Sequence, residues 1–95
     1  MKIPEKIKMG GHTITVTIRR LDQCEVDGTI GVFGYFDCEK LEIHVDSDSP
    51  PSLQWETFIH EIIEAACFFT ETALPHPIIQ SFGLLISQAI TNAEA

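Results

Sequence analysis

The residues in this chain best suited to chemistry lie in one stretch, FIHEIIEAACFF at residues 58–69, which holds His60, Glu61 and Glu64. On an α-helix, positions i and i+4 share a face. His60 and Glu64 can therefore both reach one ion above that face. Glu61 stands about 100° round the helix from His60, where an H-E-x-x-H metal helix carries the general base that takes a proton from water. Here the second histidine of that pattern is replaced by Glu64. A carboxylate oxygen binds zinc at nearly the distance an imidazole nitrogen does. The exchange adds a negative charge, which leaves bound water less acidified and makes the site more hospitable to harder ions such as manganese.

Catalytic zinc usually takes three protein ligands, and two histidines with one glutamate is an established set. A second histidine should therefore complete the site, and His12, His44 and His76 are available. His76 opens the second of two helices, where the helix N-terminus disfavours imidazolium and leaves the ring able to bind metal. A first helix running straight to Thr72 would put the corner between the helices about 12 Å along the axis from Glu64. His76 then reaches the ion only if that helix ends early or the loop folds back. Glu56 and Glu71 share this objection in different degrees. His44, on the polar face of a strand, is the fallback, and Cys67 is weaker because it lies two turns from His60. Ordinary structural roles compete with these. H-E-x-x-E arises by chance in roughly one chain in a hundred of this length, position alone favours His76 as a cap or turn residue over a ligand, and His12 and His44 read as exposed strand residues.

The elements that must position these residues divide near DSDSPPS, residues 46–52. Before it the hydrophobic period is two. His12–Arg20 is the clearest strand, with Ile14, Val16 and Ile18 on one side and threonines on the other. Gly10-Gly11 suits a hairpin turn back to a strand around Ile3–Met9. A third strand is expected over Thr29–Phe36, with a bulge or close backbone approach at Gly31 and Gly34, and a fourth over Leu41–Asp46. This predicts an antiparallel sheet of three to four strands with one apolar face that needs a lid. After the divide the period is helical. Pro50-Pro51 fits a helix entrance, with Ser49 or Ser52 as N-cap. The first helix should run over Leu53–Thr72, its sheet-facing arc holding Leu53, Phe58, Ile59, Ile62, Ile63, Ala66 and Phe69. Trp55, Phe58, Phe68 and Phe69 read as core. Leu74-Pro75-His76-Pro77 stops it. The second helix, from about His76 to Thr91, carries an apolar stripe of Ile78, Phe82, Leu85 and Ala89, widened by Ile79, Ile86 and Ile90. Strands followed by helices give an α+β architecture, one domain with its sheet in 1–48 and its helices in 49–95.

Composition narrows the function further. Fourteen acidic against six basic residues give a net charge of −8. The basic residues are scattered apart from Arg19-Arg20, which argues against nucleic acid and against anionic membranes. The most apolar segment is cut by His60, Glu61 and Glu64 and does not span a membrane. Cys24, Cys38 and Cys67 form no C-x-x-C pair and read as reduced thiols of a cytoplasmic protein. The opening MKIPEKIKMGG holds no apolar run long enough to be expected to act as a signal segment. Gly28, Gly31 and Gly34 are followed by no helix and do not make a phosphate loop.

The order KIPEKIKMGGHTITV, GYFDCEKLEIHVD, TFIHEIIEAACFF and LPHPIIQSFGLLISQAI resembles the small phage and prophage zincin-like metallopeptidases across nearly the whole chain. In that family a strand of the Leu41–Asp46 type precedes an active-site helix reading H-E-I-I-H-A. The chain matches at His60, Glu61, Ile62, Ile63 and Ala65 and departs at Glu64. The resemblance implies a minimal zincin fold, His60 as a zinc ligand, Glu61 as the base and, from L-P-H, His76 as a ligand or site-shaping residue. The expectation is a metal-dependent hydrolase directed at peptides, with metal (zinc, or manganese or another divalent cation) on His60, Glu64 and His76. Leu41–Asp46, as an exposed edge, would align the peptide by strand addition. The alternative is a zincin-like scaffold without catalysis, acting as a phage-encoded interaction or metal-binding protein.

Overall fold

The computed structural model describes residues 2–21 and 33–93. Their order is β1 (Lys6–Met9), β2 (His12–Arg19), β3 (Gly34–Asp37), β4 (Glu42–Asp46), α1 (Pro51–Thr70) and α2 (His76–Ala93). This is the α+β arrangement of a four-stranded sheet followed by two helices. Gly10 and Gly11 both have positive φ (58° and 82°) and turn β1 into β2, pairing Met9 with His12. Two successive positive φ values are what a tight hairpin matched to strand twist requires.

The sheet order is β1-β2-β4-β3. β4 therefore pairs parallel with β2, Val16 opposite Ile43 and Ile18 opposite Val45, and antiparallel with β3. This corrects the expected all-antiparallel sheet. The chain leaves β2, reaches the far edge as β3, and returns through residues 38–41 into the gap between them. It also makes β4 an interior strand, so Leu41–Asp46 is no edge; among the described residues the edges are β1 and β3. The expected third strand narrows to Gly34–Asp37, and the rest of it, with Gly28, Gly31 and Cys24, lies outside the described residues.

One sheet face carries Ile14, Val16, Ile43 and Val45, which join Phe58, Ile59 and Ala65 of α1 in the core. Ile7, Met9, Phe36, Trp55, Ile62, Ile63 and Phe69 pack around it. Gly34 lets α1 approach the sheet edge. A Cβ there would lie 2.6 Å from both the His44 carbonyl oxygen and Thr57 Cγ2, the close backbone approach expected at this glycine. Phe68, expected in the core, is 47% exposed at the edge of the aromatic group it forms with Phe36 and Phe69. His44, expected to be exposed, is buried on the other sheet face, with 9% of its surface exposed. It stacks on Tyr35, accepts at Nδ1 from Arg19 Nε (3.1 Å), and lies 3.0 Å from Glu42 Oε1 through Nε2. The paired polar partners are what make that burial tolerable.

α1 starts two residues earlier than expected. Pro50 is the N-cap, with no side-chain cap, and Pro51 opens the helix, so neither Ser49 nor Ser52 caps it. Gln54 ties the helix to the preceding turn: its backbone N–H makes the first helical bond, to the Pro50 carbonyl, and its Nε2 donates to the Ser49 carbonyl at 2.8 Å. α1 lies on the sheet, and α2 packs on α1. α2 meets α1 through Ile79, Gly83 and Ser87, which are buried, while Ile78, Phe82, Leu85 and Ala89 face outward. The stripe richest in large apolar residues is therefore not the one that packs inside. Gly83 and Ser87 take the inner face because small side chains let the helices approach closely: a Cβ on Gly83 would already be in van der Waals contact with His60 Cα, at 3.5 Å.

Candidate metal centre

α1 presents His60 and Glu64 on one face, one turn apart, as i,i+4 spacing dictates. His60 Nε2 and Glu64 Oε1 lie 3.8 Å apart. That is too long for a hydrogen bond and short enough for both atoms to reach a shared third party. The helix ends at Thr70 rather than Thr72. Glu71 takes the left-handed conformation (φ 53°, ψ 36°) and the Thr72 N–H bonds back to the Cys67 carbonyl at 2.9 Å. This closing motif reverses the chain. Residues 71–75 then return along the helix, and five extended residues cover up to about 16 Å, enough to regain the level of Glu64 and beyond. Pro75 accepts the first bonds of α2 from Ile78 and Ile79.

The return places the His76 ring 5.3 Å from the His60 ring, centroid to centroid. One donor atom from each of His60, Glu64 and His76 falls within 4.8 Å of the other two. The distance objection to His76 is thus answered by an early helix end and a loop that folds back. Of the other histidines, His12 stacks on Phe69 at 4.9 Å and His44 spends both ring nitrogens on Arg19 and Glu42. Cys67, Glu56 and Glu71 do not join the trio among the described residues.

A cavity of about 500 Å³ opens beside the trio. His60, Glu61, His76 and Gln80 form its polar wall, with Glu56 and Thr57, and Phe33, Leu53 and Leu84 its apolar one. Glu61 is 7% exposed. Burial, and then the nearby Glu64 carboxylate, push its pKa up to about 8. Burial also lowers the His60 pKa, a displacement opposed by Glu64 and reinforced by His76. The ring is therefore held neutral, the form in which imidazole binds metal. Sequence reasoning placed no weight on Gln80 or Gly83; i,i+4 spacing from His76 would have found Gln80.

The donor chemistry fits a first-row divalent cation. Ligands about 2.0–2.2 Å from zinc in a tetrahedron stand roughly 3.3 Å apart, so donor atoms within 4.8 Å of one another need to close by up to about 1.5 Å, within the range of side-chain rotation. Compared with models of known families, with curated proteins and with solved structures, the chain matches none.

Proposed function

We propose that the chain is a zinc-dependent, peptide-directed hydrolase of the zincin type, with His60, Glu64 and His76 as metal ligands and Glu61 as general base. The observation that carries this reading is the meeting of two imidazoles and one carboxylate beside a cavity whose wall holds a second, buried carboxyl group, that of Glu61. The same ligand trio accepts manganese or another divalent cation. When bound, the ion would polarise a scissile carbonyl and acidify water. Every other step falls to the chain. Glu61 accepts the proton of the attacking water and hands it to the leaving amine. Positive charge at the trio favours the carboxylate form of Glu61 that this role requires. β3, the terminal strand of the sheet, would align an extended peptide, since Phe33 and Gly34 at its start line the cavity. That replaces β4 in the role. The unbridged Cys38 and Cys67 support a cytoplasmic setting, and the phage or prophage origin rests on sequence resemblance alone.

Elemental analysis of protein purified without chelator tests the site. Wild type should carry close to one equivalent of zinc or manganese, and His60→Ala should carry none. Absence of metal from both defeats the reading. Glu61→Gln should keep its metal and lose hydrolysis of an unstructured protein such as casein. Full activity in that variant would remove Glu61 from the base role. Metal with no hydrolysis in wild type would favour the other reading, a metal-binding interaction protein on the same scaffold.

A further inference from the structure

α2 buries one face against α1 and leaves another to solvent. Ile78, Phe82, Leu85 and Ile86 are 40%, 50%, 60% and 41% exposed. A surface helix normally turns charge toward water, yet no Asp, Glu, Lys or Arg occurs between His76 and Ala93 in a chain of net charge −8. A contiguous apolar patch of this kind marks a contact surface.

Three occupants are conceivable: lipid, an unrelated protein, or another copy. Helices that lie in a membrane surface carry Lys and Arg on their polar face, and α2 has neither. A second copy meets two demands that an arbitrary partner does not. The first is charge. Two molecules of charge −8 repel wherever their acidic surfaces meet, and α2 is a face on which they can meet without like charges opposed.

The second is self-complementarity. Residues 78, 82, 85 and 89 follow the 4-3-4 spacing of a helix-pairing seam. Laid antiparallel about a two-fold axis between residues 83 and 84, that seam opposes Ile78 with Ala89 and Phe82 with Leu85. Large thus meets small at each end and two large side chains meet at the middle, twice by symmetry. With residue areas on the order of 200 Å², the exposed parts of the four large residues amount to about 380 Å² on each copy. Their exposed neighbours Ser81 and Ala89 bring the pair toward the roughly 1,000 Å² that a specific interface needs.

We propose that a second copy of this chain docks on the outer face of α2, forming an antiparallel two-fold dimer centred on Phe82 and Leu85. The inference is independent of the metal reading, because His76 and Gly83 face α1 and stay clear of the seam.

Sedimentation equilibrium of the full chain at physiological salt, from about one to a few hundred micromolar, should give a concentration-dependent dimer mass. Phe82→Lys and Leu85→Glu should each weaken association by roughly tenfold or more, with helical content unchanged by circular dichroism. In the F82K/L85E double variant each new lysine faces a new glutamate across the axis, and the dimer should recover relative to either single variant. A wild type that is monomeric throughout overturns the proposal. So does a dimer indifferent to both substitutions, a double variant no tighter than the singles, or a monomer that co-sediments with phosphatidylcholine vesicles.

Discussion

Glu61 shows how much the surroundings of one residue decide. As a letter in H-E-I-I-E it is the natural base, but buried beside Glu64 it holds its proton up to about pH 8. A carboxyl whose folded pKa lies above its unfolded value of 4.5 binds more protons folded than unfolded, so stability falls as pH rises between the two values. Thermal melts of chelated protein should show this loss from about pH 4.5 to 8. Glu61→Gln should flatten it and make the metal-free protein more stable at pH 8, by on the order of 3 kcal/mol. His60 acts in the opposite direction. Its pKa is lowered, so the unfolded state takes up the proton first and stability is lost as pH falls below 6.5. That acid-side loss should persist in Glu61→Gln and vanish in His60→Ala, a distinction the same melts resolve.

At the scale of elements, two glycines and one glutamate set the position of the helices. Gly34 sits where a Cβ would meet a backbone oxygen and a threonine methyl at 2.6 Å. Gly34→Ala should destabilise by about 1–3 kcal/mol, read from urea midpoints. Gly83 is different. Its Cβ would make ordinary contact with His60 at 3.5–3.6 Å, so the gain in helix propensity prevails. Gly83→Ala should stabilise by about 0.5–1 kcal/mol and leave metal content unchanged. Glu71 holds a left-handed conformation that L side chains adopt at a cost. Glu71→Gly should keep the turn that returns His76 to the site and raise stability by about 1 kcal/mol. A fall in stability there would mean that the Glu71 side chain contributes to the turn.

For the whole molecule, the donors of the trio come from both helices, so an ion bound there ties α2 to α1. A ligand that binds only the folded state stabilises it by mass action, about 2.7 kcal/mol at a hundred times its dissociation constant. Zinc should therefore raise the melting temperature of chelator-treated protein by several degrees, and Glu64→Ala should reduce that rise. No shift in wild type on adding zinc or manganese would count against the site. No described helix is long and apolar enough to cross a membrane.

The sequence by itself determined whatever depends on neighbours along the chain. Alternation gave β2 and β4, Gly10-Gly11 the hairpin between β1 and β2, the proline pairs the helix entrances, and i,i+4 spacing the pairing of His60 with Glu64. Tertiary structure decided what depends on distant partners. Alternation is the same for a parallel and an antiparallel neighbour, so it could not place β4 beside β2. Apolar content did not pick the inner face of α2, because close helix packing favours Gly83 and Ser87 over the bulkier stripe. His44 went inside because Arg19, Tyr35 and Glu42 satisfy it. His76 reached His60 because a non-glycine residue turned left-handed at Glu71, a conformation no composition signal announces.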